Sequence, residues 1–192
     1  MGYVKQVSRY PVKSMRGETL DSIELATNGI PGDRVWAVRD EVQGGIRGAK
    51  QIPQLMTLSA RFTTPVGSGS SPAEILFPDG SRASTGDTDI NERLCNALDH
   101  RVSLWPLLPA DALAHYKRGE PTHEDLEVEL RSIFGRSPDE PLPDLSLFPP
   151  EIFEYESPPG TYFDAFPLLL LTSASLDSMQ QRVPASVFDV RR

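Results

Sequence analysis

Cysteine is nearly missing from this chain, which has one, Cys95, among 192 residues. A single thiol excludes an internal disulfide framework and a Cys-clustered zinc site, and it fits a reducing compartment, so a cytoplasmic location is expected. Long apolar runs are missing too. The longest, "PLLLLT" at 167–172, is strand-length and far short of the ~20 residues a spanning helix needs, so no membrane association is expected. The start "MGYVKQVSRYPVK" has no apolar leader core, and Gln6 stands where a myristoylation pattern wants Ser or Thr. Basic residues are outnumbered, 19 against 27 acidic, for a formal net charge of -8. With no positive excess to neutralise phosphates, a broad nucleic-acid footprint is excluded, and any anion site must be local. Histidine is sparse: His100, His115 and His123 have no partner at helical spacing, so no metal site is assigned to them.

What is present is the composition of a folded globular chain, 39% hydrophobic and 24% charged. Residues 1–108 read as short strands between turn signals: "YVKQV", "DSIEL", "RVWAV", "TLSARF", "AEILF" and "RVSLW", separated by "NGIPGD", "GSGSSP" and "PDGS". Alternation at Leu58, Ala60 and Phe62, and at Val102 and Leu104, has the period of half-buried strands, and the spacing predicts a small barrel or sandwich. One helix interrupts them in "DTDINERLCNALDH", with Ile90, Leu94, Ala97 and Leu98 on one face and Thr88 or Asp89 as cap.

Residues 109–160 differ in texture. "PTHEDLEVELRSIFG" predicts a helix capped by Thr122, with Leu126, Leu130, Ile133 and Phe134 on its apolar face and Gly135 closing it. The proline-rich stretch after it predicts a long extended connection packed by Leu142, Leu145, Leu147 and Phe148. From 161 to 192 the pattern becomes a buried strand, Leu168 to Leu171, opening into a helix capped by Thr172 or Ser173 with Leu176, Met179 and Val183 inside. The fold class expected is therefore α+β and β-rich. It combines a barrel-like domain at 1–108, a helical and irregular connection at 109–160, and a further strand and helix at 161–192.

Most chemistry-bearing residues have a plain structural reading. Cys95 lies at the edge of an apolar helix face as a packed thiol, "GGIRG" at 44–48 is a hairpin, and the carboxylates of "EDLEVEL" are a solvated helix face. No G-x-S-x-G elbow is present, and no catalytic residue is assigned. Three groups remain that suit an anion: Lys13 with Ser14, Arg34 in "GDRVW", and the helix start Thr172, Ser173, Ala174 and Ser175. A lysine is a point charge for phosphate, an arginine a planar fork, and a helix N-terminus a set of free N–H donors. The alternative is that the three are separate surface turns.

"YPVKSMRGE", "NGIPGDRVWAV" and "IPQLMTLSARF", in that order, resemble the N-terminal β-barrel region of MOSC-domain proteins, relatives of the C-terminal domain of molybdenum cofactor sulfurase and of the mitochondrial amidoxime-reducing component. "SPPGTYFDAFPLLLLTSASLDSM" with "SVFDVRR" resembles the entry into the MOSC domain itself. The resemblance implies binding of a molybdenum cofactor (molybdopterin), with Lys13, Ser14, Arg34 and Thr172 to Ser175 at the pterin or its phosphate. It implies a molybdenum-dependent oxidoreductase of the type that reduces N-oxygenated substrates, served by an electron-transfer partner protein. Relatives continue past the equivalent of "DVRR" to a cysteine that ligates the metal, a region not present here, so a truncated and inactive cofactor-binding portion is expected. The alternatives are a non-enzymatic cofactor-binding or sulfur-carrier module, or an inert β-barrel fragment.

Overall fold

The structure, a computed structural model, describes residues 2–188 apart from 68, 148, 150 and 165. Eight short strands form three antiparallel sheets. β1 (Val7–Arg9) pairs with β2 (Glu18–Leu20); β3 (Trp36–Asp40) lies between β4 (Ile46–Arg47) and β8 (Val102–Pro106); β6 (Glu74–Leu76) lies between β5 (Ser59–Arg61) and β7 (Arg82–Ser84). Strands of two to five residues are too short to hold as isolated sheets. Residues 10–16 join them. Val12 bridges Trp36 and Arg16 bridges Ser59, both parallel, and the amide of Lys13 donates to the Trp36 carbonyl at 2.9 Å. The two three-stranded sheets thus close around one apolar interior, with the β1–β2 pair outside it, which makes the N-terminal part barrel-like and the whole chain α+β.

Alternation sets that interior. On β8, Val102 and Leu104 point in; on β5 and β6, Ala60 and Ile75 do the same. Helix α1 (Ile90–Leu98) lays Ile90, Leu94 and Leu98 over the interior, each 5% exposed or less, and ends on Asp99 in the left-handed conformation. Cys95 turns its thiol to β8, bonding the Val102 carbonyl and amide at 3.3 Å each. Between β3 and β4 the turn is held by Asp40, whose Oδ1 accepts from the amides of Val42 and Gln43. Burial raises the pKa of that carboxyl, but the two amides and His100 outweigh it and leave the group below its ordinary value.

A second, smaller core lies outside β3 and β4. Ala37 and Ile46 meet Tyr116 and Tyr162, both at most 1% exposed. Tyr116 belongs to α2 (Leu113–Tyr116), and its hydroxyl donates to the Leu108 carbonyl. The Tyr162 hydroxyl donates its one proton to the Pro106 carbonyl at 2.8 Å, so His115, 2.7 Å away, must be the donor in their bond, carrying its proton on Nε2. Burial, with a smaller push from Arg39, lowers the His115 pKa and keeps the ring neutral. The unfolded chain binds a proton at this residue near its ordinary pKa of about 6.5, and the folded chain only at lower pH. The contribution of His115 is therefore complete above that pH and declines below it. The thermal midpoint of the His115→Phe chain should fall less steeply than that of the parent between about pH 6.5 and 5; equal slopes would show that the ring titrates normally.

Several expectations need correction. Residues 3–6 and 21–25 are not strand: Tyr3 and Val4 are 87% and 77% exposed, and the pairing lies instead at Val7–Arg9 and Glu18–Leu20. Asp125, not Thr122, caps α3 (Leu126–Phe134), accepting from the Val128 amide at 2.9 Å, while Gly135 closes it at φ 62°. The proline-rich connection is not extended throughout, since it includes a single turn at Leu145–Leu147 and α4 (Glu151–Glu154); Phe148 lies outside the described residues. Leu168 to Leu171 are not a buried strand. They make no strand pairing among the described residues and are 41–91% exposed, because a strand needs hydrogen-bonded neighbours that this segment does not meet. Helix α5 (Ser173–Arg182) does follow, with Thr172 as its cap, but Met179 and Val183 are 47% and 48% exposed. Part of "SVFDVRR", residues 189–192, lies outside the described residues. No helix among the described residues is long and apolar enough to cross a membrane.

Candidate functional site

Lys13, Ser14 and Arg34 sit where residues 10–16 run beside the entry to β3. The Arg34 amide donates to the Tyr10 carbonyl at 2.7 Å and the Trp36 amide to the Pro11 carbonyl at 3.1 Å, so the two segments advance together. Three non-glycine residues with positive φ are found among the described residues: Ser14 at 67°, Arg34 at 50° and Asp99 at 48°. Asp99 has the ordinary role of ending a helix. The other two are residues already singled out by their chemistry. A left-handed non-glycine residue costs about 1–3 kcal/mol and persists only where the surroundings impose it.

Lys13 is buried, 4% exposed, and its ammonium group is fully engaged. Nζ donates to Asp164 Oδ1 at 2.6 Å, to the Tyr162 carbonyl at 2.9 Å and to Ser157 Oγ at 3.4 Å. Ser14 Oγ accepts from the Ala49 amide at 3.0 Å. The loop that carries Ala49 passes so close that a side chain at Gly48 would lie 3.0 Å from the Ser14 hydroxyl and 3.7 Å from Lys13 Cε. Glycine is the residue that fits this approach. Arg34 pairs with Asp33 at 2.9 Å, and its guanidinium carbon lies 5.6 Å from the Tyr10 ring centre and 5.3 Å from that of Phe163. Asp33 is fixed in turn by the Tyr10 amide at 2.7 Å.

Charge gathers behind Lys13 in a way the sequence did not announce. Arg47 on β4 is 3% exposed; Nη2 donates to the Glu120 carbonyl at 2.8 Å, while Nε is buried with no partner among the described residues. Arg118 pairs with Glu156. It is delivered by residues 118–120, which press on the β3–β4 turn so tightly that a Cβ on Gly119 would lie 1.9 Å from the Gly44 carbonyl oxygen. Burial raises the Glu156 pKa against the opposing pull of Arg118, Lys13 and Arg47. Three cations and two carboxylates, Glu156 and Asp164, thus share one electrostatic neighbourhood. The hint available in the sequence was Arg47 inside "GGIRG", a basic residue in a hairpin that needs none for its turn.

Thr172 to Ser175 are not drawn into this group by any bond among the described residues. Thr172 Oγ1 accepts from the Ser175 amide at 3.0 Å and contacts the Ser175 hydroxyl, closing the cap within α5, and all four residues are exposed. Upstream of α5, Pro167 packs where a side chain at Gly29 would collide with it at 2.8 Å. An open groove of about 550 Å³ beside α3, lined by His123, Asp125, Glu127 and Arg131 among others, shares no residue with the Lys13 cluster.

As a donor set, a buried ammonium, a hydroxyl, a guanidinium fork between two rings and an Arg47 N–H without a partner among the described residues suit a multiply charged oxyanion such as a phosphate ester. Residues 1–85 match the family model described as the MOSC N-terminal beta barrel domain. No curated protein matches the chain.

Proposed function

We propose, from the match of residues 1–85 to the MOSC N-terminal beta barrel domain, that the chain is the molybdenum-cofactor-binding portion of a MOSC-family oxidoreductase. Lys13 and Arg34 would hold the phosphate of the pterin, with Ser14 and the Arg47 N–H beside them. The carrying observation is that Lys13 is buried, and that Ser14 and Arg34, its neighbours in the site, are held in left-handed backbone conformations. The donor set fits the phosphate end of the cofactor. When bound, the cofactor would supply two-electron redox chemistry. The chain's own part is to neutralise the phosphate and fix its orientation. Thr172 to Ser175 would add the free N–H donors of the α5 start, which the Thr172 cap leaves open to solvent.

We divide the chain, on the same reading, into the barrel domain at 1–108, the connection at 109–160 and the start of a MOSC domain from 161. Protein purified from cells that make molybdopterin, then oxidised and denatured, should release a fluorescent pterin in proportion to protein. Absence of pterin from such preparations would overturn the reading. Pterin retained without metal-dependent turnover would favour an accessory cofactor-holding module over an enzyme.

A further inference from the structure

Both cations of the site are touched by one short stretch from far along the chain. Tyr162 gives its carbonyl to Lys13 at 2.9 Å and Asp164 its carboxylate at 2.6 Å; Phe163, between them, stands 5.3 Å from the Arg34 guanidinium carbon. Lys13 has three N–H donors, and Ser157 Oγ at 3.4 Å accepts the third. A ligand anion reaching Lys13 must therefore take the place of one of these acceptors.

The three differ in burial. Tyr162 is 0% exposed and anchored through its hydroxyl to Pro106 and His115, and Ser157 is 3% exposed. The Asp164 side chain is 83% exposed. It can swing into water at little cost in packing, and it alone of the three carries the charge sign of an anionic ligand. Exchange of one for the other breaks no covalent bond and moves no proton.

We propose that Tyr162–Phe163–Asp164 is a built-in cap on the phosphate site, in which the Asp164 carboxylate holds the ligand's place on Lys13 until the incoming anion displaces it. The proposal rests on the reading of Lys13 and Arg34 as a phosphate site. Occupancy by Asp164 lowers the apparent affinity in proportion to the fraction of molecules that are capped. It also discriminates by charge: a phosphate dianion outcompetes the carboxylate, and a monoanion of similar size does not.

Inorganic pyrophosphate, titrated at low ionic strength into the full chain and followed by phosphorus and amide NMR, tests the cap. Asp164→Asn keeps the shape of the side chain and removes its charge. It should tighten binding about 3- to 10-fold, and Lys13→Met should weaken binding about 10- to 100-fold in the parent and remove the gain from Asp164→Asn. Unchanged or weaker binding by Asp164→Asn, with binding still dependent on Lys13, would overturn the cap and leave the phosphate site standing. Equal binding by the parent, Asp164→Asn and Lys13→Met, or binding by none of them, would overturn both. If the gain from Asp164→Asn survived in the Lys13→Met background, it would reflect net charge alone and overturn the cap. Asp164→Ala, which cannot accept from Lys13 at all, should gain at least as much as Asp164→Asn; a loss would likewise overturn it.

Discussion

Replacing Lys13 by methionine should weaken binding of a phosphate-bearing ligand by about 10- to 100-fold, the worth of a charge-assisted hydrogen bond or two made away from bulk water. Methionine keeps the unbranched apolar stem, so the space between Gly48 and the 157–164 segment stays filled. The Tyr162 carbonyl and Ser157 hydroxyl lose their donor, which should cost stability about 1–2 kcal/mol. Arg34→Met should reduce affinity less, because the Arg34 side chain is more open to solvent than that of Lys13, 17% against 5%. It should also free Tyr10 and Phe163 from the cation they flank. Isothermal titration with pyrophosphate or a phosphorylated pterin measures both. Affinity unchanged in both variants would remove these residues from the site.

Tyr162→Ala should destabilise the chain by about 3–5 kcal/mol, the range for deleting a large buried aromatic ring. The ring is fully buried against Tyr116 and His115, in a core of few other large side chains, so the cavity has little with which to refill. Its hydroxyl connects Pro106 at the end of β8 with His115 of α2. Tyr162→Phe keeps the ring and loses only those bonds, and should cost about 1–3 kcal/mol. Denaturant midpoints measured with an unchanged slope on denaturant would give both values. A cost below about 1 kcal/mol for the alanine variant would mean that the second core does not anchor the segment over Lys13.

The barrel strands were the most legible part of the sequence. β5 and β8 follow their alternating apolar residues, and α1 follows Ile90, Leu94 and Leu98. Errors arose where a local pattern had no partner to test it. "YVKQV" has strand composition, but the backbone pairs begin at Val7, opposite Leu20. Leu168 to Leu171 have the apolar continuity of a buried strand, yet continuity says nothing about whether neighbouring strands are at hand. The cap of α3 was misplaced by three residues because Thr122 and Asp125 are both good caps, and the Val128 amide chose the carboxylate.

The site was half legible. Lys13, Ser14 and Arg34 stand out by residue type and by family resemblance, within one short stretch of chain. Their partners do not. Ser157, Tyr162, Phe163 and Asp164 lie in an irregular segment with no period to read, and all but Phe163, which stands by Arg34, reach Lys13 across 144 to 151 residues of sequence. Contacts of that range leave no local pattern; Arg47 shows in the sequence only as a basic residue within "GGIRG".

The long reach of that segment also orders events at the ribosome. β8, the last strand of the barrel, ends at Pro106, and Asp164 is made about 60 residues later. At about 5–20 residues per second, that is an interval of about 3–12 s. During it, every strand of the barrel has been synthesised while the chain that will close over Lys13 has not. A nascent protein therefore presents Lys13 to solvent before Asp164 can reach it, and on the proposed cap, loading during translation would not compete with Asp164, whereas loading after release would.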